Sequence, residues 1–320
     1  MQLREIGTTG IRITPVAMGC WPISGITSIE VTESQSLATL EAAVEAGINF
    51  FDTAYCYGYE GQSEQMIARA LGHRRDDIVI ATKGGIHWEN RVQRKDGTPA
   101  TLRRQCEESL RRLNTDRVEL YYLHAPDPVV PVAESAGALK ELLDAGKVRS
   151  IGVSNFNVRQ LEEFARVCVV SACQPHYNML QREIEADLLP WCIEHRVSVM
   201  AYWPLMKGLL AGKLERDHVF AGKDGRQKYP MFHGEEWQKN QDFLDELRPI
   251  AEQAGAPVAQ VVINWTIQRR GITAALCGAK RPEQIRDNAA SLRWKLTEVQ
   301  IARIDAAIKR RGPIVSRAAV

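Results

Sequence analysis

Apolar residues along the chain fall into two kinds of run that alternate. Short blocks rich in branched and aromatic residues (TPVAMGCW, INFFD, DIVIATK, RVELYYLH, VRSIGVS, SACQPHY, VSVMAYWP and TAALCG) read as strands. Between them lie longer blocks whose apolar positions return every three or four residues, the period of a half-buried helix. The first predicts a helix with Thr32 as N-cap and Leu37, Leu40, Ala43 and Val44 on its buried face, stopping at Gly47. Others are predicted over SEQMIARALG to Gly72 and over residues 99–113, 132–145 (closed by Gly146), 158–167, 183–195, 260–268 and 282–290. A further helix over 297–309 opens with Thr297 and Gln300 at capping-box spacing. Residues 2–13, turning near Gly10, predict an N-terminal β-hairpin.

Strands alternating with helices predict a parallel sheet, and eight such units predict a closed (β/α)₈ barrel forming one domain over residues 1–320. The competing arrangement is a doubly wound open sheet. Its first βα turn should carry G-x-G-x-x-G, whereas this chain offers only G-C-W. Two connections, 84–98 and 206–234, exceed ordinary loop lengths. Both follow strands, so both belong to the face on which barrel active sites form.

Composition narrows the functional classes. The 320 residues are 45% hydrophobic and 25% charged, with a net charge of +2, which gives no reason to expect nucleic acid or a membrane as partner. The seven cysteines are scattered and make no C-x-x-C, so a reducing compartment is expected. MQLREIGTTG lacks a signal-peptide core and no apolar run is long enough to span a bilayer, which points to the cytoplasm. Oligomeric state, monomer or homo-oligomer, is not legible.

Candidate chemistry gathers at strand ends. Asp52, Lys83, His124, Ser154 and Asn155 stand at or just past the carboxyl ends of predicted strands, with Tyr57 shortly after Asp52. Each has an ordinary reading: Asp52 as a turn cap, Lys83 as a solvated lysine, His124 as a core histidine, Tyr57 as a rim residue. Their conjunction is harder to explain by packing. A phenol is a weak acid near neutrality, a neighbouring ammonium favours its phenolate, and a carboxylate can balance that ammonium. A histidine in the same mouth can hydrogen-bond a carbonyl oxygen. Such a site gives a proton to an alkoxide while hydride comes from a cofactor. His87 and Trp88 in the 84–98 connection are candidates for the substrate wall, or for an exposed loop. Cys56 could sense oxidants or be a packed thiol. A metal-dependent hydrolase using His124, His87 and Asp52 is a further reading, but neither H-x-H nor H-E-x-x-H occurs.

The ordered motifs FDTAYCYG, ATKGG, LHAPDP, GVSNF and GAKRPEQIRDN resemble those of the aldo-keto reductase superfamily, from the hairpin to about Asn288. The chain is most similar to bacterial members near the inositol-operon reductase and the potassium-channel β-subunit branch. The resemblance implies NADPH bound in extended form, with NAD as the alternative, and reduction of an aldehyde or ketone or the reverse oxidation of a sugar or polyol. It implies that Tyr57 is the general acid, Lys83 lowers its pKa, Asp52 holds Lys83 and His124 orients the carbonyl. Ser154, Asn155 and Gln174 would bind the nicotinamide carboxamide, and Tyr202 would stack on the ring. Pro204, Leu205, Gly208, Leu209 and Lys213 would cover the pyrophosphate. Gly278, Lys280, Gln284, Asp287 and Asn288 would hold the adenosine phosphate, and Gly19 and Trp21 would lie near ribose and substrate. Departures from the pattern are Trp203, a substrate wall or a rim-packing residue, and Lys207, an added phosphate contact. Lys280, Arg281 and Arg286 would meet a 2′-phosphate or be solvated charges, and Arg226 is a weaker candidate for that role. The short tail RRGPIVSRAAV would leave the mouth open. From a different class, the channel-subunit branch implies a redox sensor or binding module with low turnover.

Overall fold

The computed structural model describes residues 2–27, 30–222 and 224–315; the end of the tail, 316–320, lies outside them. A hairpin of β1 (Arg4–Glu5) and β2 (Arg12–Ile13) comes first. It is tied to the barrel by the Arg4 guanidinium, which donates to the carbonyls of Ile267, Ile272 and Thr273. Next come β3 (Val16–Gly19), α1 (Glu33–Glu45), β4 (Phe50–Asp52), α2 (Gln62–Leu71) and β5 (Val79–Gly84). A second hairpin, β6 (Ile86–Glu89) and β7 (Val92–Lys95), precedes α3 (Pro99–Leu113) and β8 (Leu120–Leu123). Then follow α4 (Val132–Asp144), β9 (Ile151–Ser154), α5 (Val158–Ala165), β10 (Ala172–Gln174), α6 (Leu188–Glu194) and β11 (Ser198–Tyr202). The chain ends with α7 (Gly234–Ala254), α8 (Val258–Gln268), β12 (Ile272–Gly278), α9 (Pro282–Ala290) and α10 (Glu298–Arg311).

Eight parallel strands close a barrel in the order β10-β11-β12-β3-β4-β5-β8-β9, as the alternating pattern predicts. Thr32 and Thr297 both form the reciprocal capping boxes that start α1 and α10.

The period-two geometry of a strand sorts side chains between two cores. Ala17, Phe50, Ala81, Leu120, Tyr122, Ala172, Met200, Ala274 and Leu276 fill the barrel interior, and Ile6 and Ile13 of the first hairpin join them from below. Their neighbours Met18, Phe51, Ile80, Tyr121, Val199 and Ala275 face outward and pack under the helices. Burying Phe50 or Phe51 contributes roughly 1.5–3 kcal/mol each. Gly152 is interior too, where a Cβ would lie 2.4 Å from Cε1 of Tyr122; only glycine leaves room for that ring.

Three local features differ from the sequence reading. The 84–98 connection contains β6 and β7, paired antiparallel, and the turn residues Asn90 and Arg91 both have positive φ. Arg91 is not a residue that announces such a turn. The stretch from Gly234, which the apolar pattern does not announce as an element, forms α7, with Pro249 inside it. Its buried face includes polar residues, which weakens its pattern: Asn240 donates to the Met231 carbonyl and Gln241 to that of Leu214, anchoring the long connection before it. The helix expected over 183–195 is split into a single 3₁₀ turn (Glu183–Glu185) and α6, restarted by Asp187 as N-cap.

Candidate active site

The site follows from the alternation that builds the interior. Two residues beyond an inward-facing side chain, a strand again faces inward, about 6.6 Å nearer its carboxyl end. Two residues beyond Ala17, Phe50, Ala81 and Tyr122 stand Gly19, Asp52, Lys83 and His124. Two beyond Gly152, Ala172, Met200 and Leu276 stand Ser154, Gln174, Tyr202 and Gly278. The top layer of the barrel is therefore made of the residues that the motifs singled out.

Lys83 is fully buried and Asp52 3% exposed. The ammonium donates to Asp52 Oδ1 at 2.6 Å and to the carbonyl of Thr53 at 2.7 Å. Gln174 donates its amide N–H to Asp52 Oδ2 at 2.7 Å. Burial pushes the Asp52 carboxyl up from its ordinary value, and the Lys83 charge opposes that shift. Thr53 was invisible to sequence reasoning, because a backbone acceptor leaves no signature.

Tyr57 sits on the turn after β4, which closes through Gly58 (φ 102°); a Cβ there would run into Gln62. Lys83 Nζ lies 5.0 Å from the centre of the Tyr57 ring. Trp21 meets that ring edge-on at 5.1 Å, and His124 at 6.0 Å. Burial, followed by the charge of Asp52, pushes the phenol well above its usual value, so the net shift runs opposite to the lowering that Lys83 alone would give. The dehydrated ring disfavours phenolate, and the Lys83 ammonium 5.0 Å from its centre is balanced by Asp52. The phenol therefore keeps its proton near neutrality. Burial, then the Lys83 charge, pushes His124 well below 6.5, so its ring is neutral.

A second group joins this one. Asn155, at a positive φ of 62°, donates to the His124 carbonyl (3.0 Å) and to Ser154 Oγ (3.1 Å), and accepts from the Tyr202 hydroxyl (2.7 Å). Ser154 donates to the Gln174 carbonyl at 2.8 Å. Beyond β11, the non-glycine residues Trp203, Met206 and Lys207 all have positive φ, a concentration of strained backbone of the sort found at ligand sites, and Gly208 follows in the same region without strain. The Lys207 ammonium sits between the rings of Trp203 (4.1 Å) and Tyr229 (4.6 Å). Trp203 thus packs against Lys207 and Tyr229 at the rim. Pro204 and Leu209 are buried, Leu205 partly so. Lys213 reaches Asp287 at 3.7 Å, linking this segment to α9, where Asn288 is buried and Gln284 accepts from the Lys280 amide at 2.8 Å.

Some candidates are placed differently from expectation. Trp88 reaches the cluster, donating from its indole to the Cys56 carbonyl at 2.8 Å. Its neighbour His87 falls on the opposite face of the β6–β7 hairpin, toward Asp96, so it does not join the quartet. Arg226 lies near Gly208 but is bound to Asp224 in a two-pronged pair at 2.6 and 3.0 Å. Arg286 pairs with Glu45 of α1. Neither is a free guanidinium for a 2′-phosphate. Lys207 and Lys280 have no ion-pair partner among the described residues, so the donor set fits phosphate oxygens there. Cys56 lies with its thiol 3.6 Å from His124 Nδ1. No group of three His, Cys, Asp or Glu among the described residues is arranged to hold a metal ion. Among the described residues, no helix is long and apolar enough to cross a membrane.

Comparison with known proteins agrees with this arrangement. The profile of the Aldo/keto reductase family matches residues 15–309. The chain is 35% identical over 299 residues to aldo-keto reductase YhdN of Bacillus subtilis, covering 92% of this chain and 90% of that one. It is 31% identical over 314 residues to the NADH-specific methylglyoxal reductase of Escherichia coli, covering 93% and 95%. Among solved structures, the glycerol dehydrogenase AKR11B4 from Gluconobacter oxydans superposes with a TM-score of 0.91 at 34% identity, covering 97% of this chain and 96% of the other.

Proposed function

The chain belongs to the aldo/keto reductase family, and we propose that it reduces a small hydrophilic aldehyde or ketone with a nicotinamide dinucleotide, Tyr57 serving as general acid. The observation that carries this reading is the buried Lys83–Asp52 pair beneath the Tyr57 ring, with His124 beside it. When bound, the dinucleotide supplies the hydride that no side chain can.

The residues of the chain supply the rest. The Tyr57 hydroxyl gives its proton to the oxygen that turns from carbonyl to alkoxide. Its raised pKa keeps that proton in place until the alkoxide, a far stronger base, develops. Lys83 lies close enough to stabilise phenolate as the proton leaves, and Asp52 with the Thr53 carbonyl keeps the ammonium fixed. His124, neutral, holds the carbonyl oxygen by a hydrogen bond. A placed proton donor typically contributes ~10²–10⁴-fold in rate, and polarisation of the carbonyl adds an electrostatic contribution. Trp21, Tyr57, Trp88 and His124 wall the substrate.

Ser154, Asn155 and Gln174 offer the carboxamide contacts, and the partly exposed Tyr202 offers a ring face for the nicotinamide. Lys207 and Lys280 take the phosphates, with Gly19, Gly208, Gly278 and Lys213 bordering them. Lys280 and Arg281, which form no close ion pair among the described residues, favour NADPH. NADH is the alternative, and the relative from Escherichia coli is NADH-specific by name. The names of the relatives suggest 2-oxoaldehydes and small polyols as the first compounds to try. The test is a panel of such carbonyls and polyols, followed by nicotinamide absorbance with each dinucleotide. Turnover of at least one carbonyl is expected; no hydride transfer to or from any of them sinks the proposal.

A further inference from the structure

His124 has two ring nitrogens, and only one of them can serve a substrate. Nδ1 faces Cys56, with Sγ 3.6 Å away. Among the described residues no other group bonds to either nitrogen, so Nε2 is the one left for the mouth. The ring is anchored at its backbone from two sides: its N–H donates to the Gly84 carbonyl at 2.9 Å, and its carbonyl accepts from Asn155. The Cys56 backbone is anchored as well, by the Trp88 indole on its carbonyl. Cys56 itself is buried, in a small cluster with Ala54, Ile86 and Ala125. Thiol and imidazole are thus held against each other by the surrounding fold.

A neutral imidazole carries one proton, on either nitrogen, and the partner of one nitrogen decides what the other can do. If Nδ1 carried the proton, it would have to donate to sulfur, a weak acceptor, and Nε2 would present a lone pair to the carbonyl oxygen. If Nδ1 is bare, it accepts from the thiol, and Nε2 presents an N–H. The second arrangement uses the better acceptor of the two and gives a carbonyl oxygen the donor it needs. Burial pushes the Cys56 thiol up to about 12, so its proton stays on sulfur near neutrality, and the ring does not take a second proton there because its own pKa is pushed down. We propose that Cys56 is a positioning residue that fixes the tautomer of His124, keeping the proton on Nε2 and aimed at the substrate oxygen. The proposal rests on the reading of His124 as the carbonyl-orienting group.

The test is nitrogen-15 NMR of histidine-labelled protein without cofactor or substrate, the His124 signals being assigned by their loss in His124→Gln. Wild type should show a bare Nδ1 and a protonated Nε2. Cys56→Ala removes the donor and should shift the tautomer ratio by several-fold, up to about tenfold for the loss of one modest hydrogen bond. Cys56→Ser restores a donor and should hold the wild-type tautomer, an outcome that mere packing of a small residue does not predict. Turnover of a carbonyl should fall in Cys56→Ala in step with the lost tautomer, with cofactor affinity unchanged. A Cys56→Ala protein that folds as wild type does and keeps the wild-type tautomer overturns the proposal. Because the NMR readout needs neither cofactor nor substrate, it is decided separately from the carbonyl panel: absence of activity would defeat the reading of function, and an unmoved tautomer would defeat the role of Cys56.

Discussion

Replacing Lys83 with Met tests whether the centre of the site is a charged pair in a dry place. The substitution keeps most of the volume of a fully buried side chain and removes its charge. Asp52 is left in the interior with the Gln174 amide as its remaining partner. Breaking a buried ion pair in this way typically costs about 3–5 kcal/mol, because the remaining charge is uncompensated. The cost should depend on pH in a stated direction. Burial already raises the Asp52 pKa in the folded protein, and loss of Lys83 removes the main opposing influence, so it rises further. A carboxyl whose folded pKa lies above its unfolded value does no harm where it is protonated in both states. It removes stability as pH rises through the folded pKa. The deficit of Lys83→Met relative to wild type should therefore grow as pH rises above the unfolded carboxylate value of about 3.9. The double variant Asp52→Asn/Lys83→Met should recover part of it, since the stranded charge is gone. Urea unfolding of the three proteins across that range is the assay. A deficit that stays constant with pH, or a double variant no more stable than the single one, would refute the picture of a buried, charged Asp52.

Gly152→Ala places a Cβ 2.4 Å from Tyr122 Cε1, so it should cost about 1–3 kcal/mol in urea unfolding; wild-type stability would mean that the interior layer is looser than described. With His124 pushed well below 6.5 and Tyr57 pushed well above 10, reductive kcat/KM should be flat from about pH 6 to about pH 9, and a histidine-like inflection near 6.5 in the rate profile would contradict both assignments. Asp224→Asn releases Arg226 from its pair, so fluorescence titration should show NADPH binding tightened a few-fold relative to NADH, in line with roughly 0.2–1 kcal/mol for such a pair; equal changes for both would remove Arg226 from the 2′-phosphate question.

The barrel was legible because alternation and helical period agree along its length. The same alternation made the site legible: Asp52 follows Phe50, and Lys83 follows Ala81, on one inward face. What escaped the sequence had physical reasons. The β6–β7 turn uses Asn90 and Arg91 where a glycine would have announced it. α7 buries Asn240 and Gln241 as tethers, and so lacks a clean apolar stripe. His87 and Trp88 are adjacent in sequence, yet the pleat sends them to opposite faces, and only pairing with β7 reveals which faces the mouth. The commitment of Arg226 to Asp224 depends on the course of a long connection that no periodicity describes. The direction of the Tyr57 shift also needed the structure, because Lys83 near Tyr57 suggests a lower pKa until burial and the balancing Asp52 are taken into account.

The central claim is that Tyr57 donates the proton that completes carbonyl reduction. Single-turnover oxidation of bound reduced nicotinamide by a carbonyl substrate, compared between wild type and Tyr57→Phe, tests it most directly. The variant loses one hydroxyl at the centre of the cluster and keeps the ring against Trp21 and His124. The account predicts a rate lower by ~10²–10⁴-fold with dinucleotide affinity retained. A Tyr57→Phe protein that turns over at the wild-type rate would contradict it.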